Sequence, residues 1–283
     1  MKLSAKEIRC AVQNAMAEDI GSGDATTLAI VSESATAKAV MRAREPLIVA
    51  GLDIAKTAFC KLSATVKIER LVPDGQHVVA GENLLRVSGP ARAILSAERV
   101  ALNFVQRLSG IATLTAQFAD AIKGTHTHIL DTRKTTPGLR HFEKYAVACG
   151  GAKNHRVGLF DMILIKDNHL VVLQNEKPNA IAAAVRRARE KFPKLKIGVE
   201  ADTLEQVRQA DDAGADVILL DNMNPAQLRL AVQKVKGRAK TEASGGVNLA
   251  NVRAIAETGV DFISVGALTH AARAVDIGLD FES

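Results

Sequence analysis

The chain reads in two rhythms. Over roughly its first 90 residues, short runs rich in β-formers (36–44, 47–50, 65–72 and 83–87) are divided by the turns Pro73-Asp74-Gly75 and Ala80-Gly81-Glu82. Helical spacing over 3–17 places a helix before them, closed by the loop Asp19-Ile20-Gly21-Ser22-Gly23-Asp24, and a second helix over 53–62 sits among the strands. Runs of strands with few helices predict an α+β unit. A long helical pattern follows from Pro90, a residue suited to a first turn, to about residue 123, with a break expected at Ser109-Gly110.

After residue 125 apolar strands alternate with helices of moderate length, the rhythm of βα repeats and a parallel sheet. The pattern predicts strands at 128–131, 162–166, 196–200, 217–221, 240–243 and 262–265, and helices at 180–191, 204–213, 226–235 and 249–258. Thr203 and Asn248 stand where N-caps belong, and Gly214, Gly237 and Gly259 where helices end. Six strands of this kind favour a barrel, complete or not, over a doubly wound sheet.

Composition narrows the class. Hydrophobic residues make up 47% of the 283, and with eight Phe, one Tyr and no Trp the core must be aliphatic. The formal charge of +6 calls for anionic partners. Nucleic acid fits poorly, because few aromatics are available for base stacking and no dense run of Lys and Arg occurs. Small anionic metabolites fit better. Three scattered cysteines (Cys10, Cys60, Cys149) without a Cys-x-x-Cys pair predict a reducing compartment and no thiolate metal site. With no signal-peptide core and no apolar run of bilayer length, the chain is expected to be soluble and cytoplasmic.

In α/β barrels the chemistry sits at the C-terminal ends of the strands. The first strand ends in Asp131-Thr132-Arg133-Lys134, the second in Lys166-Asp167-Asn168-His169, with Asn154-His155-Arg156 between them. The third ends in Glu200, the fourth in Asp221-Asn222, and the last two in Ser244-Gly245-Gly246 and Val265-Gly266-Ala267. Arg133, Lys134, Arg140, His155, Arg156 and Lys166 would otherwise be ordinary solvated charges. Gathered at one rim they imply a ligand with several negative charges, arginine forks gripping carboxylates or phosphates and lysines acting as mobile point charges. Glu200 and Asp221 could be structural counter-ions, ligands for Mg²⁺ carried by phosphate oxygens, or stabilisers of positive charge on a sugar. The two glycine turns suit a phosphate held by bare backbone N–H groups. Cys149 lacks an oriented base and reads as a buried thiol. His126 and His128 read as strand-edge residues.

The stretches DTRKTTPGLR from Asp131, CGGAKNHRVGLFD from Cys149, LIKDNH from Leu164, LLDNM from Leu219, EASGGV from Glu242 and DFISVGALTH from Asp261 resemble the quinolinate phosphoribosyltransferase family, also called nicotinate-nucleotide pyrophosphorylase (carboxylating). EDIGSGD from Glu18 and AERVALNFVQRLSGIAT from Ala97 extend the likeness over essentially the whole chain. The resemblance implies an N-terminal α/β sandwich domain (1–112, with 271–283 packing back on it) and an open α/β barrel of about seven strands (113–270). It further implies a homodimer or a higher assembly of dimers. The expected reaction converts quinolinate and phosphoribosyl pyrophosphate (PRPP) to nicotinate mononucleotide, pyrophosphate and carbon dioxide in NAD synthesis, with Mg²⁺ and no organic cofactor. By motif match, quinolinate would meet Arg133, His155, Arg156 and Lys166, with Arg99 reaching in from a neighbouring subunit. PRPP would meet Thr132, Lys134, Lys166, Glu200, Asp221, Ser244-Gly245-Gly246 and Val265-Gly266-Ala267; Lys134, Lys166, Glu200 and Asp221 would be catalytic, and Glu200 and Asp221 would face the Mg²⁺. Ala271 stands where the family usually has Ser, and Ala152-Lys153 replaces a small or glycine-rich pair.

Three rivals make different demands. A related pyrophosphorylase-like protein associated with molybdate transport would not need the dicarboxylate set of Thr132-Arg133-Lys134 and His155-Arg156. Nicotinate phosphoribosyltransferase binds one carboxylate fewer and needs fewer arginines. A basic nucleic-acid binding protein would spread its charges along a face with stacking residues, not concentrate them at strand ends.

Overall fold

A computed structural model describes residues 1–282, which divide into two compact units. The first comprises 1–116, 141–151 and the C-terminal segment from 271; the second comprises 117–140 and 152–270.

In the first unit, helix α1 (Ala5–Ile20) opens on a reciprocal capping box between Ser4 and Glu7 and buries the stripe Ile8, Val12, Met16. It packs on α3 (Leu52–Leu62), whose buried face includes Leu52, Ala55 and Phe59. Between them lie α2 (Ala25–Ile30), β1 (Thr36–Ala43) and β2 (Leu47–Ile48). Strands β3 (Lys67–Arg70), β4 (His77–Val78) and β5 (Asn83–Pro90) follow. The sheet order is β12-β1-β5-β3, with β12 (Ile277–Glu282) antiparallel to β1, while β2 pairs with β4.

Helix α4 (Ala91–Ala121) runs through Ser109-Gly110 without the expected break. The Ser109 hydroxyl is fully buried and bonded to both the N–H and the carbonyl of Ala50. A Cβ at Gly110 would lie 1.9 Å from the Arg273 carbonyl oxygen, so the glycine admits a neighbouring backbone and does not end the helix. Helix α5 (Arg140–Cys149) is not marked by the sequence pattern. Most of it belongs to the first unit: Arg107 donates to the buried Glu143 carboxylate at 2.9 Å, Tyr145 donates to Asp74 at 2.6 Å, and Phe142 packs on Phe104.

The second unit is built on six parallel strands in the order β6-β11-β10-β9-β8-β7. They are β6 (His128–Leu130), β7 (Ile163–Ile165), β8 (Ile197–Ala201), β9 (Val217–Asp221), β10 (Lys240–Ser244) and β11 (Phe262–Ser264). The seventh strand of the expected open barrel is reduced to one parallel bridge between Leu130 and Lys153. Helices α6 (Asp167–Val172), α7 (Ala180–Lys191), α8 (Leu204–Asp212), α9 (Pro225–Val235) and α10 (Val252–Ala256) fill the crossovers, and α11 (Ala267–His270) follows the last strand. Central β9 is buried from Val217 to Leu220, as a parallel strand covered on both faces must be, and its only acid stands at the exit. Thr203 caps α8 as expected. Asn248 accepts from the N–H groups of Ala250 and Asn251, bracing the turn before α10, which starts later than expected. Gly214, Gly237 and Gly259 all have positive φ.

Candidate active site at the strand ends

The C-terminal ends of these strands surround a cavity of about 430 Å³. Its lining includes Thr132, Arg133, Lys134, His155, Arg156, Lys166, Glu200, Asp221 and Ser244 from the expected set. Leu164, Leu219, Glu242 and Ser264 complete it. Gly245, Gly246, Val265, Gly266 and Ala267 occupy the adjoining turns but do not line it, and Arg99 lies exposed on α4 in the first unit.

The arginine side is held from below. Asp131, at the end of β6, is fully buried. Its carboxylate accepts from the Asn154 amide and from the His155 backbone N–H, both at 2.8 Å. The Lys153 bridge to β6 brings this segment to the rim. Arg156 donates to the Met162 carbonyl at 3.0 Å. Its guanidinium is held below the usual arginine value, first by burial and then by the positive charge of Arg133, with Asp161 opposing. The buried Nε–H of Arg133 has no hydrogen-bond partner among the described residues. Two like charges in a desolvated wall, one with an unused donor, require an anion.

The opposite wall is already paired. Lys166 Nζ lies 2.5 Å from Glu200 Oε2, and Asp221 Oδ2 accepts from the Asn222 amide at 2.7 Å. Each carboxylate keeps its second oxygen for another ligand. No group of three His, Cys, Asp or Glu side chains among the described residues could hold a metal by itself. This donor set suits a Mg²⁺ ion that brings phosphate oxygens and water as its other ligands.

Glycine shapes the remaining rim. A Cβ at Gly266 would stand 3.0 Å from Lys134 Cδ and 3.2 Å from His270 Nε2, so the bare backbone leaves room for the lysine stem. The Thr269 hydroxyl donates to the Lys134 carbonyl at 2.7 Å and ties the two turns together. Arg140, a weaker expectation, stands outside the cavity: it donates to Thr135 Oγ1 and to the Val157 carbonyl, both at 3.0 Å, bracing loops. Cys149 is half-buried in the first unit with its thiol pushed up to about 11, mainly by burial and then by Asp74, the opposite of an activated nucleophile.

Glu242, Ser264 and the carboxylate of Asp131 join the site without having been marked for a role by any sequence pattern. Glu242 is buried on β10 beside Ser264 of β11, whose hydroxyl donates to it, and lies 3.4 Å from His155 Nε2. The available signal was an acid within a short strand, two positions before the phosphate-type turn.

Comparison with known proteins gives a consistent result. A model of the quinolinate phosphoribosyl transferase C-terminal domain matches residues 111–280, and one of the N-terminal domain matches 24–109. A Bacillus subtilis (strain 168) protein named probable nicotinate-nucleotide pyrophosphorylase (carboxylating) is 44% identical over 264 residues, covering 93% of this chain and 89% of that protein. A Mycobacterium leprae nicotinate-nucleotide pyrophosphorylase (carboxylating) is 42% identical over 278 residues, 96% of each chain. The crystal structure of the nicotinate-nucleotide pyrophosphorylase of Ehrlichia chaffeensis superposes with a TM-score of 0.92 at 41% identity, covering 100% of both chains. On these matches the chain belongs to the quinolinate phosphoribosyltransferase family.

Proposed function

We propose that this chain transfers the phosphoribosyl group of PRPP to quinolinate with decarboxylation, forming nicotinate mononucleotide, pyrophosphate and carbon dioxide in NAD synthesis. The observation that carries this reading is the unpartnered Nε–H of Arg133 beside the depressed guanidinium of Arg156 at one end of the cavity. Two arginine forks suit an aromatic diacid. Family membership agrees with it.

The residues divide the labour. Arg133 and Arg156, braced by His155, hold the pyridine dicarboxylate with its ring nitrogen toward the ribose. That nitrogen is the nucleophile and needs no deprotonation, so positioning supplies much of the acceleration. Its lone pair forms the new bond to ribose C1 as the C1–O bond breaks and pyrophosphate leaves with the bonding electrons. Glu200 and Asp221 stabilise the positive charge that builds on the sugar. Lys134 and Lys166 hold the phosphate groups, with Thr132, Ser244 and the backbones of Gly245, Gly246, Val265, Gly266 and Ala267 around them. Mg²⁺, held by Glu200 and Asp221 together with the diphosphate, would neutralise the departing charge. As the C–CO₂ bond breaks, its electron pair remains on C2, stabilised by the adjacent cationic ring nitrogen, and a proton then takes the place of the lost carboxylate. Lys166 acts as an electrostatic clamp, so borohydride with substrate should trap no adduct there. The working unit is a homodimer or larger assembly in a cytoplasmic setting, with Arg99 of a second copy reaching the diacid.

The test is an assay with quinolinate, PRPP and Mg²⁺ that follows carbon dioxide and mononucleotide together. Equal release of both is expected. Turnover of nicotinate without carbon dioxide would overturn the carboxylating assignment.

A further inference from the structure

His155 is gripped twice. Its backbone N–H is fixed by the buried carboxylate of Asp131 at 2.8 Å, and its side chain, only 9% exposed, points Nε2 at Glu242. The other ring nitrogen, Nδ1, accepts the backbone N–H of Arg156 at 2.7 Å. A neutral imidazole that accepts at Nδ1 carries its proton on Nε2, and Glu242 Oε1 lies 3.4 Å from that nitrogen. Glu242 is in turn held by the Ser264 hydroxyl, so β10 and β11 together present one oriented carboxylate to the ring. A buried carboxylate near a diacid site opposes binding on charge alone, and its place on the cavity wall calls for a compensating role.

We propose that Glu242 is a positioning residue: it holds His155 as the neutral Nε2–H tautomer, and His155 through Nδ1 fixes the Arg156 backbone and so aims the Arg133–Arg156 pair at its dicarboxylate. The inference rests on the reading of the cavity as a quinolinate site. Carboxylates that orient a functional imidazole from behind are a common device, and their loss costs about 10–100-fold.

Two measurements test it. Ring-nitrogen NMR on ¹⁵N-histidine protein, with His155 assigned by its disappearance in His155→Gln, should show an unprotonated Nδ1 and a protonated Nε2. In Glu242→Ala that single tautomer should give way to a mixture. An Nδ1–H form in the wild type, or an unchanged spectrum in Glu242→Ala, overturns the proposal.

The second measurement is a double-mutant cycle on quinolinate affinity, by calorimetry and as KM. Glu242→Ala should weaken quinolinate about tenfold, and the loss should nearly vanish in a His155→Ala background. PRPP KM should move far less. Glu242→Gln keeps the volume and an acceptor oxygen, so it remains measurable should the alanine variant misfold, and it should weaken quinolinate about threefold. Additive losses with His155→Ala, or tighter quinolinate binding in Glu242→Gln, reject the positioning role. Wild-type protein inactive on quinolinate and PRPP sinks the functional reading alone, because the ring-nitrogen spectrum still decides whether Glu242 sets the His155 tautomer.

Discussion

The two walls of the cavity are prepared in opposite ways. On the arginine side the buried carboxylates of Asp131, behind the wall, and Glu242, within it, face backbone, amide and imidazole partners, so the guanidinium groups face the cavity in deficit. On the acid side the charges face each other: Lys166 is bonded to Glu200, and Asp221 to Asn222. The first wall is built to receive an anion without rearranging. The second must release Lys166 from Glu200 for that lysine to take a phosphate. The difference teaches that preorganisation is concentrated where a rigid aromatic ring must be aimed, and flexibility where a hydrated, multiply charged chain must be threaded.

The sharpest way to break this contrast is to remove the deficit. Arg133→Ala should lower kcat/KM for quinolinate by about thirtyfold or more, equivalent to about 2–5 kcal/mol, with PRPP binding little changed. A loss under about tenfold in steady-state kinetics would show that Arg133 is not a principal anion holder. Glu200→Gln addresses the other wall. It should cut kcat about a hundredfold through lost charge stabilisation, while quinolinate affinity by calorimetry stays within about threefold. Equal damage to both quantities would erase the division of labour. Next in size is complementation: Arg99→Ala mixed with Lys134→Ala should recover about a quarter of wild-type activity from random subunit exchange, since half the dimers carry one intact site. No recovery in verified mixed dimers removes Arg99 from the site. The smallest effect is that of salt. Raising NaCl tenfold should increase KM for PRPP several-fold, but KM for quinolinate less than about twofold, because partly buried pairs are screened less than exposed ones such as Lys134.

Much of this site was legible before the fold was known. Apolar runs ending in charge located the exits of β6, β8 and β9, because a strand buried on both faces tolerates an acid only where it emerges. What stayed hidden depended on contacts between distant segments. Glu242 meets Ser264 and His155, which lie 22 and 87 positions away, and only the strand order β6-β11-β10 brings them together. Gly110 looked like a helix breaker because local propensity cannot register the Arg273 backbone lying against it. Helix α5 went unmarked for the same reason: its partners Arg107, Phe104 and Asp74 precede it by more than thirty residues.

Asn222 takes a left-handed conformation, φ 54°, directly after Asp221, and a Cβ at Gly245 would fall 2.1 Å from its amide oxygen. The same amide holds the Asp221 carboxylate through its nitrogen. Bulk added to one turn is therefore transmitted to an acid on the next strand, and neither position can drift alone. Across an alignment of relatives, 222 and 245 should vary as a linked pair, and a laboratory library randomising both should yield active clones only in matched combinations.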